Sequence, residues 1–320
     1  MTDSAPSADL TGWRRAPFTG AGITHNCYEK GQGPGVVLIP ELPGITPEVL
    51  GFAEHLVGAG FTVVVPSPFG TPGRSMTPGY AVGAIARACV AAEFRAFALD
   101  AHRPITAYLR AVGRDLAART PGRGVGVIGM CFTGGFALAA AVEDAVRAPV
   151  LSQPSVPFPL GAARRHDPGL SAGEFAQVKA RTVESGLCLL GLRFSADKTS
   201  PAERFGFLRE QLGDAFEVIE LDSSPGNAGG FAKNAHSVLT GEVRENPPNQ
   251  AHAARERVVA FLTEHLRCSP RPLSPRLDEK THDRTATPRC PRRRMSFAIR
   301  CECRTTACLV MEIIGIDIRR

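Results

Sequence analysis

The chain has 320 residues, 43% hydrophobic and 21% charged, enough to bury the core of one large domain or two ordinary ones. No apolar run approaches the ~20 residues of a membrane-spanning helix, and residues 1–10 carry Asp3 and Asp9 without a basic or apolar leader region, so the expected location is cytoplasmic. The formal charge of +6 sits at the end: residues 268–320 hold 12 Lys+Arg against 6 Asp+Glu, which leaves the body balanced and without a footprint for nucleic acid.

Short apolar runs alternate with stretches of helical spacing. Val36–Ile39 reads as the first buried strand, followed by a helix over Pro47–Gly58, where Val49, Leu50, Ala53, Leu56 and Val57 recur at three and four. Thr62–Val65 is the next strand. A Pro/Gly-rich loop, Pro66–Gly79, leads into Val82–Ala118, two helices broken before Pro104. Strand Val125–Gly129 runs into a helix over Gly134–Val146, then come strand Pro149–Ser152, a loop over 153–171 and strand Leu187–Phe194. Helix Ala202–Leu212, strand Phe216–Leu221 and an amphipathic helix over Gln250–Arg267 close the domain. Strands apolar throughout suit a parallel sheet covered on both faces, so a doubly wound α/β architecture is expected for residues 1–267.

Beyond Arg267 the composition turns to Pro, Arg and Cys, and residues 268–320 are expected to form a largely disordered tail. Nine cysteines, five of them in the tail (Cys268, then the cluster Cys290, Cys301, Cys303, Cys308), do not form a disulfide framework. The scattered Cys27, Cys89 and Cys188 read as small buried hydrophobes. A zinc site or nucleic-acid arm in the tail is the weakest reading, because Cys301-Glu302-Cys303 with Cys308 lacks zinc-ligand spacing.

Gly129-Met130-Cys131-Phe132-Thr133-Gly134-Gly135 joins an apolar strand to a helix and matches a nucleophile elbow with cysteine for serine and Thr133 at its fifth position. The helix N-terminus would favour the Cys131 thiolate, and the Phe132 amide would face an oxyanion. In such a fold the acid follows a late strand and the histidine the last one. Asp197, in Phe194-Ser195-Ala196-Asp197, and His236, in Lys233-Asn234-Ala235-His236, occupy those places, and Asp222 is the competing acid. The other reading of the elbow is a glycine-rich turn with a buried cysteine.

These residues, with Pro40-Glu41-Leu42-Pro43-Gly44 after the first strand, resemble the dienelactone hydrolase family over residues 18–267. The resemblance implies an α/β-hydrolase fold with a mostly parallel sheet, and cysteine-dependent opening of lactones or cleavage of esters without cofactor or metal. It implies that Glu41 pairs with the resting Cys131 and gates it, and that the Leu42 amide is the second oxyanion donor beside Phe132. The family's substrate-binding arginine four residues after the histidine is replaced by Thr240, and Arg74 or Arg87 are available for another. Phe69 and Tyr80 are candidates to line the substrate pocket, with Arg74. The expected partner is a small lactone or ester met by a monomer or weak homo-oligomer. A thioesterase or carboxylesterase on the same fold, or a silent ligand-binding relative, are the alternatives.

Overall fold

The computed structural model describes residues 4–267; the tail 268–320 and its cysteines lie outside the described residues. The chain opens with two strands that the apolar pattern does not reveal, β1 (Arg14–Gly20) and β2 (Ile23–Lys30), paired antiparallel. The edge strand β1 alternates between exposed and half-buried residues, as a strand with one wet face does, while β2, next inward, is mostly half-buried and buries Cys27 and Tyr28. There follow β3 (Gly35–Ile39), α1 (Pro47–Gly58), β4 (Thr62–Pro66), α2 (Pro78–Val90), α3 (Pro104–Arg119) and β5 (Val125–Met130). Thr46 and Thr77 cap α1 and α2, each ahead of a proline at the first helical position.

After β5 a single 3-10 turn, Cys131–Thr133, leads into α4 (Gly134–Ala140). The expected helix to Val146 is shortened by half a dozen residues: a turn closes through Val146 N–H donating to Glu143 O, and β6 (Val146–Ser152) begins three residues earlier than the pattern indicates. Within the segment read as loop lies α5 (Ala162–His166), and beyond it is the unassigned α6 (Ala172–Glu184), started by a reciprocal capping box between Ser171 and Glu174. The chain ends with β7 (Leu189–Phe194), α7 (Ala202–Leu212), β8 (Phe216–Leu221) and α8 (Gln250–Leu266).

The eight strands form one sheet in the order β1-β2-β4-β3-β5-β6-β7-β8, parallel from β4 onward. One face packs on α1 and α8 through Val49, Phe52, Val258 and Phe261. The other packs on α3, α4 and α7 through Tyr108, Val112, Phe136 and Phe205. This is the doubly wound α/β-hydrolase architecture. The chain leaves β3 toward β4 on one side and comes back to β5 on the other, so the crevice at the carboxyl ends of β3 and β5 is a topological switch point, where such sheets bind ligands.

No helix among the described residues is long and apolar enough to cross a membrane. Cys27, Cys89 and Cys131 are free, but Cys188 is disulfide-bonded, which corrects the reading of it as a simple buried hydrophobe.

Candidate active site

Cys131 follows β5 with φ +53°, a left-handed conformation that side chains rarely adopt and that lifts it from the strand end. The turn is made possible at Gly129, where an added Cβ would lie 2.2 Å from the carbonyl oxygen of Thr133. Thr133 stands where the usual elbow has glycine, and its buried hydroxyl accepts from Met130 N–H at 3.0 Å and lies 3.1 and 3.2 Å from the carbonyl oxygens of Ile39 and Pro40. The elbow is thereby sewn to the end of β3, bringing the Glu41–Gly44 turn alongside Cys131. That turn is closed by Gly44 N–H donating to Glu41 O at 2.8 Å and carries Leu42; Phe132 follows Cys131 directly.

Asp197, after β7, is buried, and His236, after β8, is partly exposed. His236 Nδ1 donates to Asp197 Oδ2 at 2.7 Å, and the other carboxylate oxygen accepts from Thr199 N–H at 2.8 Å and Thr199 Oγ1 at 2.7 Å. Burial opposes ionisation of Asp197, but the His236 charge and these hydrogen bonds outweigh it and hold the carboxyl at about 2. Burial likewise disfavours charged His236, yet Asp197 and then Cys131, a hydrogen-bonding neighbour of the imidazole, raise it well above its ordinary value. His236 and Asp197 are therefore in direct contact, and Cys131 lies close enough to the imidazole to bear on its charge. Asp222 is elsewhere: it is exposed and accepts from Ser224 N–H and Ser195 Oγ.

Glu41 is buried, and its carboxylate accepts from Ser237 Oγ at 2.9 Å, from Gln153 Nε2 at 3.3 Å and from Thr240 Oγ1. The sulfur has a different neighbour, Ser155 Oγ, at 3.7 Å, and Ser155 N–H donates to Cys131 O at 2.9 Å. The helix following Cys131 has only seven residues, so the electrostatic support visible for a thiolate is the imidazole rather than a long helix dipole.

Phe69 lies half-buried in an aromatic group in which the Phe132 ring meets Phe69, Phe94, Phe136 and Phe158 at centroid distances of 5.3–6.0 Å. Tyr80 is buried and accepts from Thr71 N–H at 2.5 Å, fastening the loop before α2. Exposed Arg74 stacks on the Tyr80 ring at 4.3 Å. Both are thus committed to holding this loop. Sequence reasoning did not single out Ser155, Thr199, Ser237 or Gln153, short polar residues in loops without a pattern of their own. Among the described residues no cluster of His, Cys, Asp or Glu could hold a metal ion.

Residues 23–266 match the dienelactone hydrolase family. A carboxymethylenebutenolidase from Rhodococcus opacus is 26% identical over 248 residues, covering 76% of this chain and 85% of the relative. Among solved structures, a dienelactone hydrolase-like promiscuous phosphotriesterase from metagenomic libraries superposes with a TM-score of 0.55 at 17% identity, covering 79% of this chain and 98% of that one. A dienelactone hydrolase from Anabaena variabilis gives 0.50 at 16% identity over 80% and 98%. At these identities the structural likeness establishes the fold.

Proposed function

This chain belongs to the dienelactone hydrolase family and is a hydrolase, and on that premise we propose that Cys131, His236 and Asp197 cleave a neutral lactone or carboxylic ester through a thioester. The reading is carried by the contact of imidazole and carboxylate, with Asp197 Oδ2 at 2.7 Å from His236 Nδ1, and by a Cys131 sulfur close enough to bear on the charge of that imidazole. Asp197 fixes the imidazole with Nδ1 protonated and stabilises the imidazolium, leaving the other ring nitrogen for the sulfur.

With the thiol proton already held on His236 as imidazolium, the Cys131 sulfur attacks the carbonyl carbon as thiolate, and the oxyanion takes hydrogen bonds from the amides of Phe132 and Leu42. As the carbon–oxygen bond breaks, His236 returns its proton to the departing alkoxide. Water then attacks the thioester carbonyl, giving a proton to His236, and the carbon–sulfur bond breaks to release the carboxylic acid. With a lactone the leaving oxygen stays tethered, so one hydroxy or keto acid results. No cofactor enters this sequence.

The neutral-substrate reading rests on two features. Glu41 keeps a carboxylate beside the site on uncharged donors, which disfavours a second carboxylate there. The half-buried rings of Phe69 and Phe158, packed on the buried Phe132, are the uncharged surface offered nearby.

The test is hydrolysis of p-nitrophenyl acetate and of a lactone panel in which each carboxylate-bearing member is matched by its methyl ester. Wild type should prefer the neutral member of each pair, and Cys131→Ala should abolish turnover of all. Preference for the carboxylates would refute the substrate class; full activity in Cys131→Ala would refute the nucleophile.

A further inference from the structure

We propose that Glu41 is a fixed strut that binds the loop after β3 to the loops after β6 and β8, so that Cys131 and His236 are assembled before any substrate arrives. The inference rests on the reading of those two residues as the reacting pair. Its basis is where the buried carboxylate spends its hydrogen-bonding capacity. Oε2 accepts from Ser237 Oγ at 2.9 Å and Gln153 Nε2 at 3.3 Å, and Oε1 accepts from Thr240 Oγ1. All three donors are uncharged, and Glu41 makes no ion pair among the described residues.

The donors come from segments that carry the machinery. Ser237 adjoins His236 and is turned onto Thr240, whose N–H donates to Ser237 O at 3.3 Å. Gln153 is anchored in turn, its N–H donating to Leu192 O at 2.7 Å and its side-chain carbonyl accepting from Ser152 Oγ. Glu41 itself begins the closed turn that carries Leu42. One carboxylate therefore sets the distance between the Leu42 amide and the imidazole of His236.

A carboxylate that gated the thiol would have to sit on the sulfur at rest and leave it when substrate binds. Here the sulfur has Ser155 Oγ and His236 as neighbours instead. Moving Glu41 to the sulfur would strand the buried hydroxyl of Thr240 and the amide of Gln153 without their partner, a cost the apo protein has no source to meet. Glu41, Ser237, Thr240 and Gln153 act as positioning residues.

The experiment compares inactivation by iodoacetamide, a neutral probe of thiolate reactivity, with steady-state hydrolysis of p-nitrophenyl acetate. The proteins are wild type, Glu41→Gln, the double variant Ser237→Ala/Thr240→Val, and Thr240→Ser, which keeps the hydroxyl. A strut predicts rapid alkylation of substrate-free wild type. It predicts that Glu41→Gln and the double variant both slow alkylation and lower kcat by about 10²-fold, with KM nearly unchanged. Thr240→Ser should keep wild-type values for both, which a change in overall stability alone would not produce. Faster alkylation of Glu41→Gln than of wild type, with the double variant unchanged, would overturn the strut and establish a gate. Wild type that neither hydrolyses the ester nor reacts at Cys131 faster than free cysteine would instead overturn the underlying assignment of the pair.

Discussion

The hydroxyl of Thr133 lies 3.1 Å from the carbonyl oxygen of Ile39, joining the turn that carries Cys131 to the end of the strand that delivers Leu42. A glycine at position 133 would make the elbow's usual pattern and lose this tie. The two proposed oxyanion amides belong to these two segments, so their spacing depends on the hydroxyl.

Thr133→Val, nearly isosteric, should lower kcat by about 10²-fold with little change in KM, since the loss falls on the charge that develops in the transition state. Thr133→Ser should retain most activity. Steady-state kinetics on p-nitrophenyl acetate checks both, and a Thr133→Val enzyme with unaltered kcat would sever the hydroxyl from catalysis.

The pH dependence follows from the histidine. Its value in the folded protein is raised, so the imidazolium persists through neutral pH and is lost only as pH climbs through that raised value. Asp197, at about 2, stays ionised throughout this range. Asp197→Asn removes the charge that holds the proton on His236. Iodoacetamide inactivation of Cys131 should then shift to higher pH, and kcat at pH 7 should fall by about 10³–10⁴-fold. A profile that does not move on this substitution would remove Asp197 from the pair.

Stability at low pH should depend on Glu174, whose carboxylate accepts from His102 Nδ1 and from an Arg110 guanidinium nitrogen at 2.7 Å each and from Ser171 N–H at 3.1 Å. Burial raises this carboxyl, but those partners prevail and bring it from 4.5 to about 2. A lowered folded-state value gives stability that is complete above 4.5 and is lost as pH falls toward 2, on the order of 3 kcal/mol in all. Glu174→Gln should therefore destabilise clearly at pH 7 and much less at pH 3, measured as urea unfolding free energies. An equal effect at both values would contradict the assignment.

Arg204 is fully buried, and its guanidinium donates to the backbone carbonyls of Pro154, Pro157, Arg164 and Asp167. Burial lowers it to about 9, which leaves it charged at neutral pH. It gathers the segment around Ser155, so Arg204→Met should strand the buried carbonyls of Pro154 and Pro157 and the part-buried ones of Arg164 and Asp167, at a cost on the order of 3–5 kcal/mol. The urea midpoint measures the loss, and a change below about 1 kcal/mol would show that water replaces the guanidinium.

The buried parallel strands and the order of Cys131, Asp197 and His236 were readable because each is local: an apolar run, an elbow motif and a place after a strand. β1 and β2 carry no apolar run, since an edge hairpin wets one face. The apolar run from Gly134 extends through Val142, past the end of α4, and the Glu143–Ala145 turn before β6 holds no glycine or proline, so the helix end was not marked by a breaker. The Ser171–Glu174 capping box was a usable signal for α6. What holds Glu41 was not readable, because Gln153, Ser237 and Thr240 meet only once three separate loops have converged.

The central claim is that Cys131 carries the acyl group. The most direct measurement is intact mass of wild type, Cys131→Ala and His236→Ala quenched during turnover of p-nitrophenyl acetate, with peptide mapping of any adduct. The account predicts one acetyl group on wild type, mapped to Cys131, and none on Cys131→Ala. An acetyl group on another residue, or turnover of Cys131→Ala at the wild-type rate, would contradict it.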